Sequence, residues 1–225
     1  MERVPEPELM DDPNEAEAYA ITDFSDVNEK FVERFAEFVF EHYGITALEK
    51  KLIMVDLGCG PGDITNRVKL KFPRAVVIGI DGSPSMLEYA RNNYRNSSIE
   101  WVLGDAKTTP FLESSVDIFF SNSLLHHLLD PTPFWIELSR VVKKGGIIFL
   151  RDLYRPNSPY EARKIVEMYA GDATELLKEE YFRSLLASFT PEEVVQQLDK
   201  TGFKDFRVEK VTDRHIDIYG MVNLV

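Results

Sequence analysis

The chain has 225 residues, 44% hydrophobic and 28% charged, a balance typical of a globular protein with a buried core. Its net charge of −12 and lack of a dense Lys/Arg cluster argue against a nucleic-acid partner, since such proteins neutralise phosphates with a basic face. No apolar stretch approaches the ~20 residues of a membrane span, the start lacks a secretory signal pattern, and the single cysteine, Cys59, has no partner. We therefore expect a cytoplasmic protein.

The N-terminal segment, residues 1–50, carries most of the acidity. It holds 14 acidic residues against 4 basic ones, which leaves a net charge of only −2 for residues 51–225. An aromatic stripe at helical spacing predicts a core-facing helix over 27–43. Upstream of it, Tyr19 lies among alternating acidic and apolar residues. We interpret residues 1–50 as a helical lid that keeps water out of a ligand site.

Residues 51–225 are predicted to form one α/β domain. Short β-branched runs alternate with helical stretches: LIMVDLG, AVVIGID, IEWVLGD, VDIFFSN and GGIIFLRDL. This alternation indicates βαβ units, a mostly parallel sheet and helices on both faces.

Helix starts are indicated where a capping side chain precedes proline, at Ser83, Asp130, Ser158 and Thr190. Residues 158–189 form a helical insertion longer than a simple crossover requires, and we interpret it as a substrate cover. Two alternating strands follow, over 202–211 and 214–219, joined by the turn at Thr212 and Asp213.

The strongest local motif is a glycine-rich turn between the first strand and the helix that begins near Asp63. Gly58, Cys59 and Gly60 form its centre, where a ligand could approach the backbone closely. Asp63 stands where a dinucleotide fold has its third glycine, which disfavours a nucleotide-dependent oxidoreductase. Asp56 places a carboxylate beside the turn that would repel a pyrophosphate but attract the sulfonium or ammonium of S-adenosylmethionine.

Two further acids end the next two strands. Asp81 closes AVVIGID, where a carboxylate accepts both hydroxyls of a ribose. Asp105 closes IEWVLGD, where it is suited to accept a hydrogen bond from an adenine amino group, with Ala106 supplying a backbone N–H to the ring. Helix capping explains a single acid in such a loop, but three acids in register with the turn indicate a nucleoside-type ligand.

These motifs resemble the class I S-adenosylmethionine-dependent methyltransferases over about residues 50–155. The resemblance implies a Rossmann-like, mostly parallel seven-stranded sheet with an antiparallel last strand, and S-adenosylmethionine as cofactor with S-adenosylhomocysteine as product. It also implies that the turn lies under the methionyl group and that Asn122 faces the reactive end of the cofactor. The predicted cofactor site comprises Tyr19, Asp56, Gly58, Cys59, Gly60, Asp81, Gly82, Ser83, Met86, Asp105, Ala106 and Asn122.

A histidine pair after the fourth strand, His126 and His127, supplies the candidate general bases. A His pair in this place recurs among small-molecule members of the family. A base is needed only for a protonated acceptor, and either ring could instead fix the loop. Because adjacent side chains point in different directions, we do not expect both to serve one atom.

The end of the fifth strand supplies the substrate candidates Asp152, Tyr154 and Arg155, since open α/β sheets bind ligands at that edge. An ordinary salt bridge is the competing interpretation of Arg155. No metal-ligand set is expected. The favoured function is methyl transfer to a small molecule; the alternatives are a non-catalytic cofactor-binding or regulatory subunit and an oxidoreductase. The sequence does not indicate the oligomeric state or the acceptor atom.

Overall fold

A computed structural model describes residues 1–7, 9 and 13–223. The helices are α1 (Pro13–Ile21), α2 (Ser25–Tyr43), α3 (Asp63–Lys71), α4 (Pro84–Asn93), α5 (Thr132–Val141), α6 (Pro159–Ala170), α7 (Glu175–Ala187) and α8 (Pro191–Thr201). The strands are β1 (Ile53–Leu57), β2 (Val76–Asp81), β3 (Ile99–Leu103), β4 (Val116–Asn122), β5 (Val142–Leu153), β6 (Arg207–Lys210) and β7 (His215–Met221). Short 3₁₀ turns occupy Ile45–Leu48 and Leu125–His127.

The seven strands form one sheet in the order β3-β2-β1-β4-β5-β7-β6. Strands β1 to β5 pair in parallel, whereas β7 is antiparallel to both β5 and β6. The predicted Rossmann-like fold, with its antiparallel last strand, is confirmed. The strand order reverses between β1 and β4, so the glycine-rich turn after β1 opens at the edge where such sheets bind ligands.

Aromatic side chains fill the core on both faces of the sheet. On one face the predicted stripe is the buried face of α2, with the Phe35 and Phe120 rings 4.9 Å apart. On the other face Trp135 of α5 packs against Phe203, 5.7 Å away between ring centroids. Helices thus cover both faces, and the carboxyl ends of the central strands are left for the site.

The predicted insertion consists of α6 and α7, which pack against each other beside the end of β5 around Ala162, Val166 and Leu185. Helix α7 also contacts the 3₁₀ turn at Leu125–His127. The insertion is therefore placed against the loop that carries the histidine pair.

Three boundaries differ from the predictions. Strand β5 begins at Val142, three residues early, because buried Val142 pairs with Val116. Helix α5 begins at Thr132, although Asp130 Oδ1 still accepts a hydrogen bond from the Thr132 N–H at 2.9 Å. Strand β6 is shorter than 202–211 because Gly202, at φ 92°, ends helix α8 in the left-handed region.

Among the residues that the structure describes, no helix has the length and apolar character needed to cross a membrane.

At Gly62, the last glycine of the turn, both the backbone conformation and the lack of space disfavour a side chain. Its φ is +89°, and a Cβ there would come within 2.6 Å of the Trp101 ring. We expect Gly62→Ala to lower the free energy of unfolding by about 3 kcal/mol, because overpacking adds to left-handed strain of about 1 kcal/mol. Gly145 has φ +78° with open space around its Cβ position, so Gly145→Ala should cost only the strain. Urea unfolding measures both, and equal losses would show that the Trp101 contact costs nothing.

Candidate active site

A cavity of about 220 Å³ lies over the glycine-rich turn, at the carboxyl ends of β1 and β4. The turn forms its floor, and the junction of α1 and α2 forms its cover. Residues from four parts of the chain line it: Tyr19, Phe24, Asn28, Asp56, Gly58, Cys59, Gly60, Asp63, Tyr94 and Asn122. Six residues of the predicted cofactor site, including the predicted lid residue Tyr19, thus lie on one cavity.

Backbone geometry explains the glycines of this turn. Gly58 and Gly60 have φ of 69° and 51°, a region that other residues rarely adopt. The N–H groups of Gly58 and Cys59 donate to the Ile80 carbonyl at 2.8 and 2.9 Å, which ties the turn to β2. Apart from its chain neighbours, no atom of the residues that the structure describes lies within 4 Å of the Cβ position of Gly60, so a ligand can approach the backbone there.

Asp81 is fixed by two backbone donors. Its Oδ2 accepts from the Gly60 N–H at 2.7 Å and its Oδ1 from the Ser83 N–H at 2.8 Å. Burial raises the pKa of Asp81 against the opposing effect of these hydrogen bonds. A carboxylate offers about four lone-pair sites, so the side chain can accept further hydrogen bonds, such as those from a neighbouring diol.

The loop after Asp81 is covered by the N-terminal segment. Ser83 caps α4 by accepting from the Met86 N–H at 3.3 Å. The Leu9 side chain lies so close to Gly82 that a Cβ there would come within 2.6 Å of it. Tyr19 belongs to the same segment, and burial and the nearby Asp81 raise its pKa.

The end of β3 lies outside the cavity. Asp105 is exposed, and its Oδ1 accepts a hydrogen bond from the Lys107 N–H at 2.8 Å, whereas Ala106 is buried. The structure therefore shows Asp105 in the turn-stabilising role that competes with adenine recognition. It leaves the ligand role of both residues as a prediction.

Asp56 is less ionised than the sequence argument assumes. It is almost fully buried, it accepts a hydrogen bond from Thr65 Oγ1 at 2.6 Å, and burial raises its pKa to about 8. At neutral pH the side chain is therefore mostly protonated. A cation bound beside it would favour the charged form.

Replacing Asp56 by asparagine is expected to reduce the pH dependence of stability. The folded protein keeps the Asp56 proton up to about pH 8, whereas the ordinary pKa is 3.8, so raising the pH favours the unfolded chain. Between pH 5 and pH 8 the wild type should lose roughly 3 kcal/mol of unfolding free energy that Asp56→Asn retains. Urea unfolding of both proteins at the two pH values tests this, and parallel pH profiles would contradict it.

The histidine pair and Asp152 form a second, buried cluster after β4. Asp152 Oδ1 lies 2.5 Å from His126 Nδ1, and its Oδ2 accepts from the Leu125 N–H at 2.6 Å. Burial disfavours either charge, but mutual attraction outweighs it, so the pKa of His126 is raised and that of Asp152 is lowered. Asp152 thus positions His126.

Both imidazoles face Glu6, contrary to the expectation that adjacent side chains diverge. Within the 3₁₀ turn the rings of His126 and His127 lie 4.2 Å apart at 34°. Glu6 Oε1 is 3.6 Å from His126 Nε2 and 3.2 Å from His127 Nδ1. Burial and the neighbouring His126 lower the pKa of His127 to about 3, so this ring is neutral.

The other two substrate candidates, Tyr154 and Arg155, have partners outside this cluster. Arg155 is buried, with its guanidinium 2.5 Å from Glu193 and donating to the Ser188 carbonyl at 2.9 Å. Tyr154 lies beneath the Lys210 ammonium, 4.5 Å from ring centroid to nitrogen. Tyr154 and Arg155 line a separate cavity of about 380 Å³. The salt-bridge interpretation of Arg155 describes its contacts.

Sequence reasoning missed Glu6 and Arg3. Arg3 donates to the carbonyls of His126 and Leu128 at 2.8 Å each and also to the Ala187 carbonyl. No motif indicates these contacts, because they join residues more than 100 positions apart. The only signal is the acidity of the N-terminal segment.

Comparison with known proteins gives one consistent result. A family model described as a methyltransferase domain matches residues 55–150. Malonyl-[acyl-carrier protein] O-methyltransferase of Hahella chejuensis is 39% identical over 93 residues, covering 41% of this chain and 33% of that protein. Demethylmenaquinone methyltransferase of Thermotoga maritima is 28% identical over 165 residues, covering 67% and 69%. The alignment thus spans about a third of the length of the first relative.

Solved structures share the fold. A SAM-dependent methyltransferase from Aquifex aeolicus has a TM-score of 0.65 at 20% identity, covering 94% of this chain and 98% of that one. The plantazolicin methyltransferase BpumL has a TM-score of 0.71 at 17% identity, covering 95% and 92%. The likeness extends over the N-terminal segment and the insertion as well as the sheet.

Proposed function

We propose that this chain is a class I S-adenosylmethionine-dependent methyltransferase, which binds S-adenosylmethionine and transfers its methyl group to a small-molecule acceptor. The observation that supports this best is the pairing of the open Gly60 backbone with the doubly anchored Asp81 carboxylate, joined by a 2.7 Å hydrogen bond.

The site fits the proposed cofactor in shape and donor chemistry. The cavity over Gly58, Cys59 and Gly60 would hold the methionyl part, with Asp56 beside its ammonium group. The Asp81 carboxylate would accept hydrogen bonds from the ribose hydroxyls. Adenine recognition is assigned to the loops after β2 and β3, which contain Gly82, Ser83, Met86, Asp105 and Ala106.

When bound, S-adenosylmethionine supplies a methyl carbon already activated by its sulfonium. The protein's task is to hold an acceptor in line and to exclude water. The rings of Tyr19 and Phe24, 4.9 Å apart, cover the cavity, and Asn122 lines its floor at the end of β4. We place the acceptor between this end of the cavity and the histidine cluster.

An acceptor that carries a proton must lose it, and the histidine cluster is the candidate acceptor of that proton. His127 is neutral, and its buried Nδ1 has no hydrogen-bond partner among the described residues. Asp152 orients His126, and the His126 ring packs against the ring of His127. Removing a general base typically lowers turnover 10²- to 10⁴-fold without preventing cofactor binding.

Calorimetry of the purified chain tests the proposal. We expect S-adenosylmethionine and S-adenosylhomocysteine to compete for one site, with no response to NADH. Acceptors are then screened by mass spectrometry for a gain of one methyl group, beginning with malonyl, demethylmenaquinone and tricarboxylate compounds after the names of the relatives. Failure to bind either adenosyl compound would contradict the proposal, and binding without transfer to any acceptor would favour a regulatory subunit.

A further inference from the structure

The N-terminal strap, which we define as residues 1–7, delivers a carboxylate to the histidine pair. The Glu6 side chain is only 6% exposed, and its Oε1 lies 3.6 Å from His126 Nε2 and 3.2 Å from His127 Nδ1. Together these side chains offer three ligand atoms, two imidazole nitrogens and a carboxylate oxygen, all within 4.8 Å of one another.

Each of these side chains is oriented by a further group. His126 Nδ1 is held by Asp152, which leaves Nε2 to face Glu6. Ser184 Oγ donates to Glu6, 3.1 Å from Oε1 and 3.4 Å from Oε2. Outer partners of this kind, a carboxylate or carbonyl on the second nitrogen of each histidine, accompany histidine ligands in metal sites.

The ring of His127 presents an unused lone pair to Glu6. Its Nδ1 is buried and has no hydrogen-bond partner among the residues that the structure describes. A bare nitrogen and a carboxylate oxygen at 3.2 Å repel each other unless a proton or a cation lies between them.

We propose that Glu6, His126 and His127 bind a divalent transition-metal ion, with Zn²⁺ the best match. Zinc bonds of about 2.0 Å at tetrahedral angles place neighbouring ligand atoms about 3.3 Å apart. The observed 3.2 and 3.6 Å bracket that distance. Two histidines and one carboxylate suit zinc, and a set of three protein ligands leaves a fourth position for water or for an acceptor oxygen.

The surrounding charge permits a dication. Glu6 and Asp152 contribute negative charge, and the positive Arg3 guanidinium is engaged by backbone carbonyls of the 3₁₀ turn and of Ala187. These contacts seat the strap independently of a metal. Use of the fourth position by an acceptor rests on the proposed function, whereas metal binding itself does not. Because Zn²⁺ on Nδ1 would occupy the lone pair that a general base uses, His127 can serve as the base only in the metal-free protein.

The test is metal binding by the full chain after treatment with a chelator. Calorimetry with Zn²⁺ and visible absorption with Co²⁺ should show one equivalent bound, with the intense d–d bands of tetrahedral cobalt. We expect Glu6→Gln and His127→Gln each to weaken Zn²⁺ binding at least ~10-fold, because even the loss of an outer partner of a metal ligand typically costs that much affinity. Glu2→Gln removes the same charge from an exposed strap position and should bind like the wild type.

Thermal unfolding confirms that each variant is folded, and the cobalt spectrum reports the ligand set separately from affinity. Absence of stoichiometric Zn²⁺ and Co²⁺ binding would overturn the proposal and assign a proton to the Glu6–His127 contact. Binding that neither Glu6→Gln nor His127→Gln alters would overturn it as well. S-adenosylmethionine binding is measured on the same chelator-treated protein, so failure of the metal site is distinguished from failure of the proposed function.

Discussion

Replacing Asp81 by alanine is expected to weaken S-adenosylmethionine binding at least ~100-fold, because a hydrogen bond to a charged group contributes about 1.5–3 kcal/mol and two ribose hydroxyls are lost together. The variant also loses the hydrogen bonds that the Gly60 and Ser83 N–H groups donate to Asp81. The dissociation constant is measured by calorimetry.

Glu88→Ala is the matched control for this variant. Glu88 is exposed on α4, seven residues from Asp81, so the same charge is removed without touching the cavity. We expect its affinity to equal that of the wild type. A loss below ~10-fold in Asp81→Ala, with folding intact, would remove Asp81 from the cofactor site.

The second large effect is expected at the Arg151–Asp217 pair, which joins β5 to β7. The guanidinium and carboxylate form two hydrogen bonds, of 2.6 and 2.8 Å, and Asp217 is fully buried. Arg151→Met should lower the free energy of unfolding by about 3–5 kcal/mol, because it leaves a buried carboxylate unpaired except for Arg34 at 4.0 Å. Urea unfolding at pH 7 gives the value.

The double variant Arg151→Met with Asp217→Val separates pairing from packing. Since both charges are then absent, most of the lost stability should return. A single-variant loss below ~1 kcal/mol would mean that water reaches Asp217 once the arginine is gone, contrary to its burial.

The sheet and the centre of the candidate cofactor site were predictable because they follow from local rules. The carboxyl ends of parallel neighbours meet at one edge, so Asp81 after β2 had to lie beside the turn after β1. Residues such as Ser83 and Thr190 mark helix starts because their side chains accept hydrogen bonds from the backbone of the same helix. These starts can therefore be predicted without the tertiary structure.

The histidine cluster was not predictable in full. Glu6 is 120 residues from His126, and no periodicity links them. Asp152 and Arg155 both follow from the end of β5, but that position does not reveal whether a side chain faces a cavity or a structural partner. Asp152 forms a hydrogen bond with His126, and Arg155 forms an ion pair with Glu193. These contacts depend on how the helices around them pack.

The strap also has a consequence for the order of folding. Its partners are among the residues made much later: the Val4 N–H donates to the Leu186 carbonyl, and Arg3 to the Ala187 carbonyl. The strap therefore has no docking surface until the residues around 186 and 187 have been synthesised. Contacts of such long sequence separation are costly to close early, so we expect the strap to be the last element to gain protection in pulsed hydrogen exchange, after the sheet.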